Sequence, residues 1–194
     1  MSDIINLSMT RRKFLSVSAV GVSVFVLGFR IPFDSAEAKG HEASALNVFI
    51  GLDENGVVTF QNPFIEMGQG TYTSLPTLIA EEMDLDMDNI KVVQAPHGKD
   101  YKILFNNTIR FTGGSLSVRS SYLILRTAGA TARAMLIAAA AQTWGVKADE
   151  CKTEPGFVLH PSSGKKLPYG QLAKMAAKQP VPKDVKLKDS AAFR

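Results

Sequence analysis

The sequence predicts an α+β domain, in which a small sheet packs against one long buried helix and a second, shorter helix. Three observations predict this class. Asn55-Gly56 separates two β-rich runs, two glycine-bearing loops each run into a segment with helical periodicity, and one of those segments is long and rich in alanine. The chain has 194 residues and is 45% hydrophobic, so it is long enough to bury one core.

The predicted strands come from two hairpin patterns and one separate run. Residues 47–52 and 57–61 are β-rich and flank Asn55-Gly56, and Asn-Gly between such runs is the strongest short hairpin signal. A short strand is predicted at residues 89–95, before Pro96. Residues 157–159, followed by a Ser-Ser-Gly turn, predict a further hairpin.

Helical periodicity marks the other elements. Residues 74–85 have apolar side chains at helical spacing, and Pro76 is acceptable there only within the first turn. Residues 116–144 form the longest periodic segment, and Gly145 is a natural residue to end it. Because small residues let a neighbouring element approach closely, we expect this helix to be deeply buried. A short helix is predicted at residues 169–178.

The first 38 residues are typical of an export signal. A basic start that contains Arg11-Arg12 precedes an uncharged stretch at residues 16–29, and small residues at Ala36 and Ala38 fit a cleavage site. The uncharged stretch is too short to span a bilayer. Arg11-Arg12 followed by Phe14 resembles the twin-arginine signal, which predicts export of a folded protein to the periplasm. An ordinary secretory signal is the alternative.

Composition argues against several classes of function. The formal charge of +4 is small and basic residues are not clustered with aromatic ones, so no nucleic-acid partner is predicted. Cys151 is the only cysteine, which excludes an internal disulfide and a cysteine-ligated iron–sulfur cluster; after two acidic residues, it is predicted to be a structural thiol. His41, His97 and His160 are far apart, so no metal ligand is assigned.

The two glycine loops are the predicted binding features. One comprises residues 66–70 and the other residues 112–115, and each precedes a predicted helix. The first amides of a helix lack intrahelical partners, so such a loop can bind an anion. Gln69 offers an uncharged donor and acceptor that suits the edge of a heterocycle. Taken by itself, the first loop is more simply interpreted as a tight turn in which Gln69 is exposed and idle.

Charged residues near these loops leave two interpretations open. Ser115 can cap the second helix through its hydroxyl, and Arg119 in the first turn opposes the helix dipole unless an anion binds nearby. Alternatively, Arg119 belongs to an exposed basic stripe with Arg126 and Arg133.

The acidic residues of this region are given structural roles. Glu66 is interpreted as a capping residue rather than an acid or base, and Glu81 and Glu82 as a solvated helix face. We assign no catalytic residue.

Several motifs, in order, resemble the molybdopterin-binding lobe of the xanthine oxidase family. They are Glu66-Met67-Gly68-Gln69-Gly70 continuing to Pro76, Thr112-Gly113-Gly114-Ser115 continuing to Ser121, the segment 128–136, and Trp144-Gly145-Val146. They are similar in particular to large subunits of isoquinoline 1-oxidoreductase and of related exported aldehyde dehydrogenases. The similarity extends over nearly the whole chain after the arginine pair.

The resemblance implies a cofactor, partners and a reaction. Met67, Gly68 and Gln69 would contact the pterin, and the loop from Thr112 to Ser115 would line the same cofactor. With Gly70 and Arg119 from the loop argument, the predicted contacts are Met67, Gly68, Gln69, Gly70, Thr112, Gly113, Gly114, Ser115 and Arg119. The implied cofactor is molybdopterin cytosine dinucleotide with molybdenum. The implied partners are a small subunit with two [2Fe–2S] clusters, an electron acceptor such as a cytochrome, and a heterocycle or aldehyde substrate that receives oxygen from water. The location implied is periplasmic, with membrane association left open.

The sequence also departs from this family. Family large subunits are several times longer, and no segment here matches the one that carries their catalytic glutamate. We therefore expect residues 1–38 to be a twin-arginine signal peptide, residues 39–179 a partial molybdopterin-binding lobe, and residues 180–194 a linker to a missing domain. The chain would be an N-terminal fragment of a molybdenum hydroxylase subunit. The alternative is a non-catalytic exported remnant that binds a partner or ligand.

Overall fold

A mixed four-stranded sheet forms the first layer of the fold. The computed structural model describes residues 25–28, 47–98, 101–104 and 109–194. The strands pair in the order β1 (Phe25–Gly28), β2 (Asn47–Leu52), β3 (Val58–Asn62) and β4 (Ile90–Gln94). β2 and β3 form the predicted antiparallel hairpin, and β4 pairs with β3 in parallel. Apart from β1, the predicted signal peptide lies outside the described residues.

Helix α1 (Thr71–Met83) connects the two parallel strands, β3 and β4. It begins three residues before the predicted start, so Pro76 lies in the second turn and not in the first. Because proline has no amide hydrogen, the Tyr72 carbonyl receives no helical hydrogen bond from residue 76. The expectation that Pro76 lies in the first turn was therefore wrong.

Helix α2 (Leu116–Trp144) is the core helix, with the predicted bounds. Gly145, with φ of 68°, ends it, and Val146 donates its amide to the Ala141 carbonyl. In the described part of the chain α2 is the one helix long and apolar enough to cross a membrane, yet 67% of its most apolar stretch is buried inside the fold. That burial is typical of a core helix. The predicted deep burial is confirmed.

A second layer follows α2 in the chain. Strands β5 (Lys152–Glu154), β6 (Phe157–His160) and β7 (Lys165–Pro168) form an antiparallel sheet, which includes the predicted second hairpin. Helix α3 (Tyr169–Ala176) follows directly. The buried Tyr169 hydroxyl donates to the Met83 carbonyl at 2.6 Å, so this layer is joined to the end of α1. The predicted α+β class is confirmed.

Helices α1 and α2 cross at a buried ion pair. Glu82 is fully buried, and its carboxylate accepts from the Arg126 guanidinium at 2.6 and 2.8 Å. Burial opposes the charge on Arg126, but the hydrogen bond and charge of Glu82 raise its pKa overall. Arg133 approaches the same carboxylate at 3.6 Å. The expectations of a solvated face at Glu82 and of an exposed stripe through Arg126 were therefore wrong.

Candidate functional site

The two glycine loops lie next to each other. The Ile65 amide, which leads into the first loop, donates to the Thr112 hydroxyl of the second loop at 2.9 Å. Arg110 strengthens this junction, because its guanidinium donates to the carbonyls of Pro63, Ala95 and Pro96 at 2.6–2.9 Å. One side chain before the second loop thus contacts the residues just after β3 and β4, and the first loop follows β3 in the chain.

The first loop is closed by its own carboxylate. Glu66 accepts hydrogen bonds from the amides of Gly68, Gly70 and Tyr72 at 2.7–3.1 Å, and from the Thr71 hydroxyl at 3.0 Å. These amides include those at the start of α1 that were predicted to receive an anion. The carboxylate of Glu66 therefore occupies the anion site at this helix N-terminus, and Glu66 has the predicted capping role.

These hydrogen bonds hold Glu66 in its ionised form. The amides of Tyr72 and Gly70 contribute most, and together with Gly68 and the Thr71 hydroxyl they lower its pKa from 4.5 to about 2. A carboxylate with so low a pKa is a weak base. Its geometry and its acidity both favour a structural role over proton transfer.

Gln69 also binds its own loop. Its amide oxygen accepts from the Met67 amide at 2.7 Å, and its amide nitrogen donates to the Ile65 carbonyl at 2.6 Å. The residue is exposed but not idle, because it fixes the turn between Gly68 (φ 96°) and Gly70 (φ 84°). A Cβ atom at either glycine would meet open space, so the two positive φ angles are what favour glycine there.

The second loop leaves its helix N-terminus open. Ser115 is the N-cap residue of α2, but its φ of 54° is left-handed and its hydroxyl makes no capping hydrogen bond. The expected hydroxyl cap was therefore wrong. The first turn of α2 contains no acidic residue, and Arg119 in that turn is exposed. Glu66 fills the first predicted anion site, whereas at Gly114-Ser115 no carboxylate of the described residues caps the helix.

Large apolar side chains surround the loops. Met67 is 68% exposed and Phe111 is 53% exposed, although both are of a kind that folded proteins usually bury. Five other exposed large apolar residues are near the loops in the chain: Ile65, Ile109, Val118, Tyr122 and Leu123. Most of the exposed large apolar residues of the described chain therefore lie in or near the two loops in the sequence.

The remaining titratable groups do not form a second site. The described ranges contain no group of three histidine, cysteine or acidic residues that could hold a metal ion. Burial and the acidic residues beside it raise the pKa of Cys151, as expected for a structural thiol. Buried His160, at the end of β6, faces the Ser163 hydroxyl of the next turn at 2.7 Å and the Glu150 carboxylate, which precedes β5, at 3.4 Å.

Sequence reasoning missed Arg110, which organises the loop junction, and Glu82, which organises the crossing of the two helices that follow the loops. Arg110 gave no periodic or motif signal, and its three carbonyl partners are 14 to 47 residues away in the chain. Glu82 was misassigned because its neighbour Glu81 suggested a solvated pair. In hindsight, Gly129 was a signal for Glu82, because a glycine inside a long helix marks a close crossing.

Comparisons with known proteins identify the family of this chain. A family model described as "Molybdopterin cofactor-binding domain" matches residues 6–194, so the chain belongs to the molybdopterin cofactor-binding domain family. This confirms the resemblance to the xanthine oxidase family.

Three curated proteins of known name are similar to this chain in sequence. The chain is 36% identical over 171 residues to the beta subunit of isoquinoline 1-oxidoreductase of Brevundimonas diminuta, which is 84% of this chain and 22% of that protein. It is 32% identical over 127 residues to the B subunit of nicotinate dehydrogenase of Pseudomonas putida, covering 66% of this chain and 10% of that one. It is 26% identical over 172 residues to a membrane-bound aldehyde dehydrogenase [pyrroloquinoline-quinone] of Gluconacetobacter polyoxogenes, covering 85% of this chain and 21% of that protein. The chain thus spans about a fifth of the length of these relatives, or less.

A solved structure is also similar. Quinoline 2-oxidoreductase from Pseudomonas putida 86 matches with a TM-score of 0.48 and 18% identity, over 70% of this chain and 17% of that one.

Proposed function

We propose that this chain supplies part of the cofactor cradle of a molybdenum hydroxylase large subunit, which oxidises N-heterocycles or aldehydes with water as the oxygen source. The single observation that supports this best is the hydrogen bond between Ile65 and Thr112, because it joins the two loops that the resemblance assigns to one cofactor. The chain would be the N-terminal part of a longer protein.

The second loop fits a phosphate-bearing cofactor. The start of α2 has no carboxylate cap, and the positive end of a helix dipole favours an anion. We infer that the amides near Gly114 and Ser115, with the Arg119 guanidinium, bind phosphate of molybdopterin cytosine dinucleotide. Gly68 and Gly70 have open space on their outer side and would contact the pterin with Met67 and Gln69. The bound cofactor would supply oxygen transfer and accept the two electrons.

Partners and location belong to the same proposal. Two of the relatives are named as subunits, which supports a partner subunit here. We infer a small subunit with two [2Fe–2S] clusters that passes electrons to an acceptor such as a cytochrome. We infer export to the periplasm by the twin-arginine route from residues 10–15.

The experiment measures molybdenum and cytidine in the purified complex of the full-length gene product. Gly114→Trp places a bulky side chain at the open end of α2 and is expected to lower both contents severalfold, and Gln69→Ala is expected to lower them as well. Gly164→Trp is the control for Gly114→Trp, because Gly164 also has positive φ but lies in the turn between β6 and β7. A Cβ atom at Gly164 would meet open space, and one at Gly114 would meet only the Leu116 side chain at ordinary contact distance. If the content is unchanged in both Gly114→Trp and Gln69→Ala, the proposed contacts are wrong. Bound quinone without molybdenum would indicate the cofactor named for the aldehyde dehydrogenase relative.

A non-catalytic exported binding domain is the second candidate. It is favoured by Glu66, since the first anion site is filled without any ligand. The DNA immediately downstream of codon 194 distinguishes the two candidates. An open frame that continues into further domains supports the enzyme, whereas a stop codon supports the binding domain.

A further inference from the structure

Residues 186–194, which we call the strap, bind across the crossing of α1 and α2. The Lys188 amide donates to both oxygens of the Glu82 carboxylate, at 3.1 and 3.3 Å. The Lys188 carbonyl accepts from the Arg126 guanidinium at 2.5 Å. Glu82 and Arg126 are also bound to each other, so a single ion pair binds both polar main-chain groups of one residue.

This arrangement solves a problem that the buried charges create. A buried carboxylate and guanidinium are costly unless hydrogen bonds satisfy their remaining lone pairs and protons. The hydrogen bond between Arg126 and Glu82 satisfies some of these lone pairs and protons, and the Lys188 amide and carbonyl satisfy others. The strap therefore completes the polar network at the helix crossing rather than covering an apolar surface.

Side-chain contacts flank this main-chain contact on both sides. The Lys188 ammonium binds the Asp84 carboxylate at 2.5 Å, and the Phe193 ring lies 4.9 Å from the centre of the Arg126 guanidinium. Further contacts run from Arg133 to the Lys186 carbonyl at 3.3 Å and from the Arg194 amide to Glu81 at 3.0 Å. The contacts thus extend over the whole strap.

We propose that the Glu82–Arg126 ion pair is a binding site for the main chain of an extended peptide segment, and that the strap is its resident occupant. Since the ion pair contacts the amide and carbonyl of residue 188, the side chain at that position contributes less to the binding of the strap than its main chain does. The inference is independent of the cofactor. It also gives residues 180–194 a role beyond that of the predicted linker, because part of this segment is bound by the domain.

The position of the strap ties it to the loops. Glu82 lies 11 residues after Thr71, and Arg126 lies 10 residues after Leu116. At a rise of 1.5 Å per residue, both are about 15 Å along their helices from the two loops. The strap therefore binds at the crossing of the two helices that begin at the loops.

Hydrogen exchange of the intact 194-residue chain, measured by mass spectrometry, tests this site. Lys188→Pro removes the amide hydrogen that Glu82 accepts and is expected to speed exchange across residues 186–194 by about tenfold or more. Lys188→Ala keeps both main-chain groups and removes only the Asp84 contact, so its effect is expected to be at least several times smaller. Asp189→Pro controls for a proline ring, because φ at Asp189 is already −68°, and Asp189→Ala accounts for the hydrogen bond from the Ala191 amide that this control also removes.

Each outcome decides the matter. If Lys188→Pro alone releases the strap, the main-chain site is supported. If Lys188→Ala releases it as much as Lys188→Pro, the Asp84 contact holds the strap and the proposal is overturned, as it is if no variant changes the exchange. Arg126→Lys provides a second test if Lys188→Pro perturbs the whole chain: lysine keeps a positive charge beside Glu82 but lacks the planar fork that also reaches the Lys188 carbonyl. Unchanged strap exchange in Arg126→Lys would equally contradict the proposal.

Discussion

At the residue scale, Glu66 determines the shape of the first loop. Its two carboxylate oxygens receive three amides and one hydroxyl, all within the next six residues. Such local satisfaction keeps the loop folded whether or not a ligand is present. It also means that an incoming phosphate would meet a negative charge at α1 and a positive helix end at α2.

Substitution of Glu66 by glutamine should change how stability depends on pH. The native pKa of about 2 lies below the usual 4.5, so the carboxylate stabilises the fold above pH 4.5 and this contribution is lost as the pH falls toward 2. We expect Glu66→Gln to be less stable than the parent at pH 6 and the difference to shrink toward pH 2. Urea unfolding at several pH values measures this. Asp86→Asn, at an exposed residue without a capping hydrogen bond, is the control and should not show the trend.

Residue roles were predictable only where partners are near in sequence. Glu66 lies within six residues of all its donors, and its capping role was found. Ser115 was given a hydroxyl cap from its residue type, but its left-handed backbone prevents one. Arg126 and Glu82 are 44 residues apart, so the local sequence around each gave no sign of the other, and both were predicted to be solvent-exposed.

At the element scale, Gly129 sets how closely α1 and α2 approach. A Cβ atom there would lie 2.8 Å from the Glu82 Cβ and 3.0 Å from the Ile79 carbonyl oxygen. Alanine favours a helix over glycine by up to about 1 kcal/mol, whereas overpacking costs about 1–3 kcal/mol. We expect Gly129→Ala to be net destabilising by roughly 1 kcal/mol in urea unfolding, and a stabilised variant would show that the helices can separate without cost.

The ion pair at the same crossing gives a second prediction. Arg126→Met should cost about 3–5 kcal/mol, because it leaves the Glu82 carboxylate buried without its main partner. The double variant Glu82→Leu, Arg126→Met should recover a large part of that loss, since no buried charge remains. A double-mutant cycle from urea unfolding measures the coupling. Additive effects in this cycle would contradict the direct interaction.

Elements were predictable where a local signal marks their ends. Asn55-Gly56 located the first hairpin, and Gly145 located the end of α2. The start of α1 was placed three residues late, because apolar spacing begins at Leu75 while the cap that starts the helix is Glu66. Apolar spacing shows which face of a helix is buried, but it does not show where the helix starts. A capping residue that lies before this spacing can start the helix earlier.

At the scale of the whole molecule, both loop-bearing helix ends lie on one side and the ion pair with its strap lies about 15 Å along the helices. Most of the exposed large apolar residues are in or near the two loops in the sequence. The chain spans about a fifth of the length of its first relatives, and in the proposed hydroxylase we expect other parts of the large subunit to cover this surface.

The isolated 194-residue chain should therefore not oxidise heterocycles or aldehydes, even when molybdopterin cofactor is supplied. Among the described residues, Glu66 is held ionised by four donors and Glu82 is buried in an ion pair, so neither is free to take a proton from a substrate. His160, at the end of β6, is buried and bonded to Ser163, and Cys151, just before β5, is also buried.

Oxidation is measured with an artificial electron acceptor, and the complex of the full-length gene product serves as the positive control. Turnover by the isolated chain above the cofactor-only background would show that a catalytic group is present within these 194 residues. It would also refute the proposal that the chain contributes only the cradle.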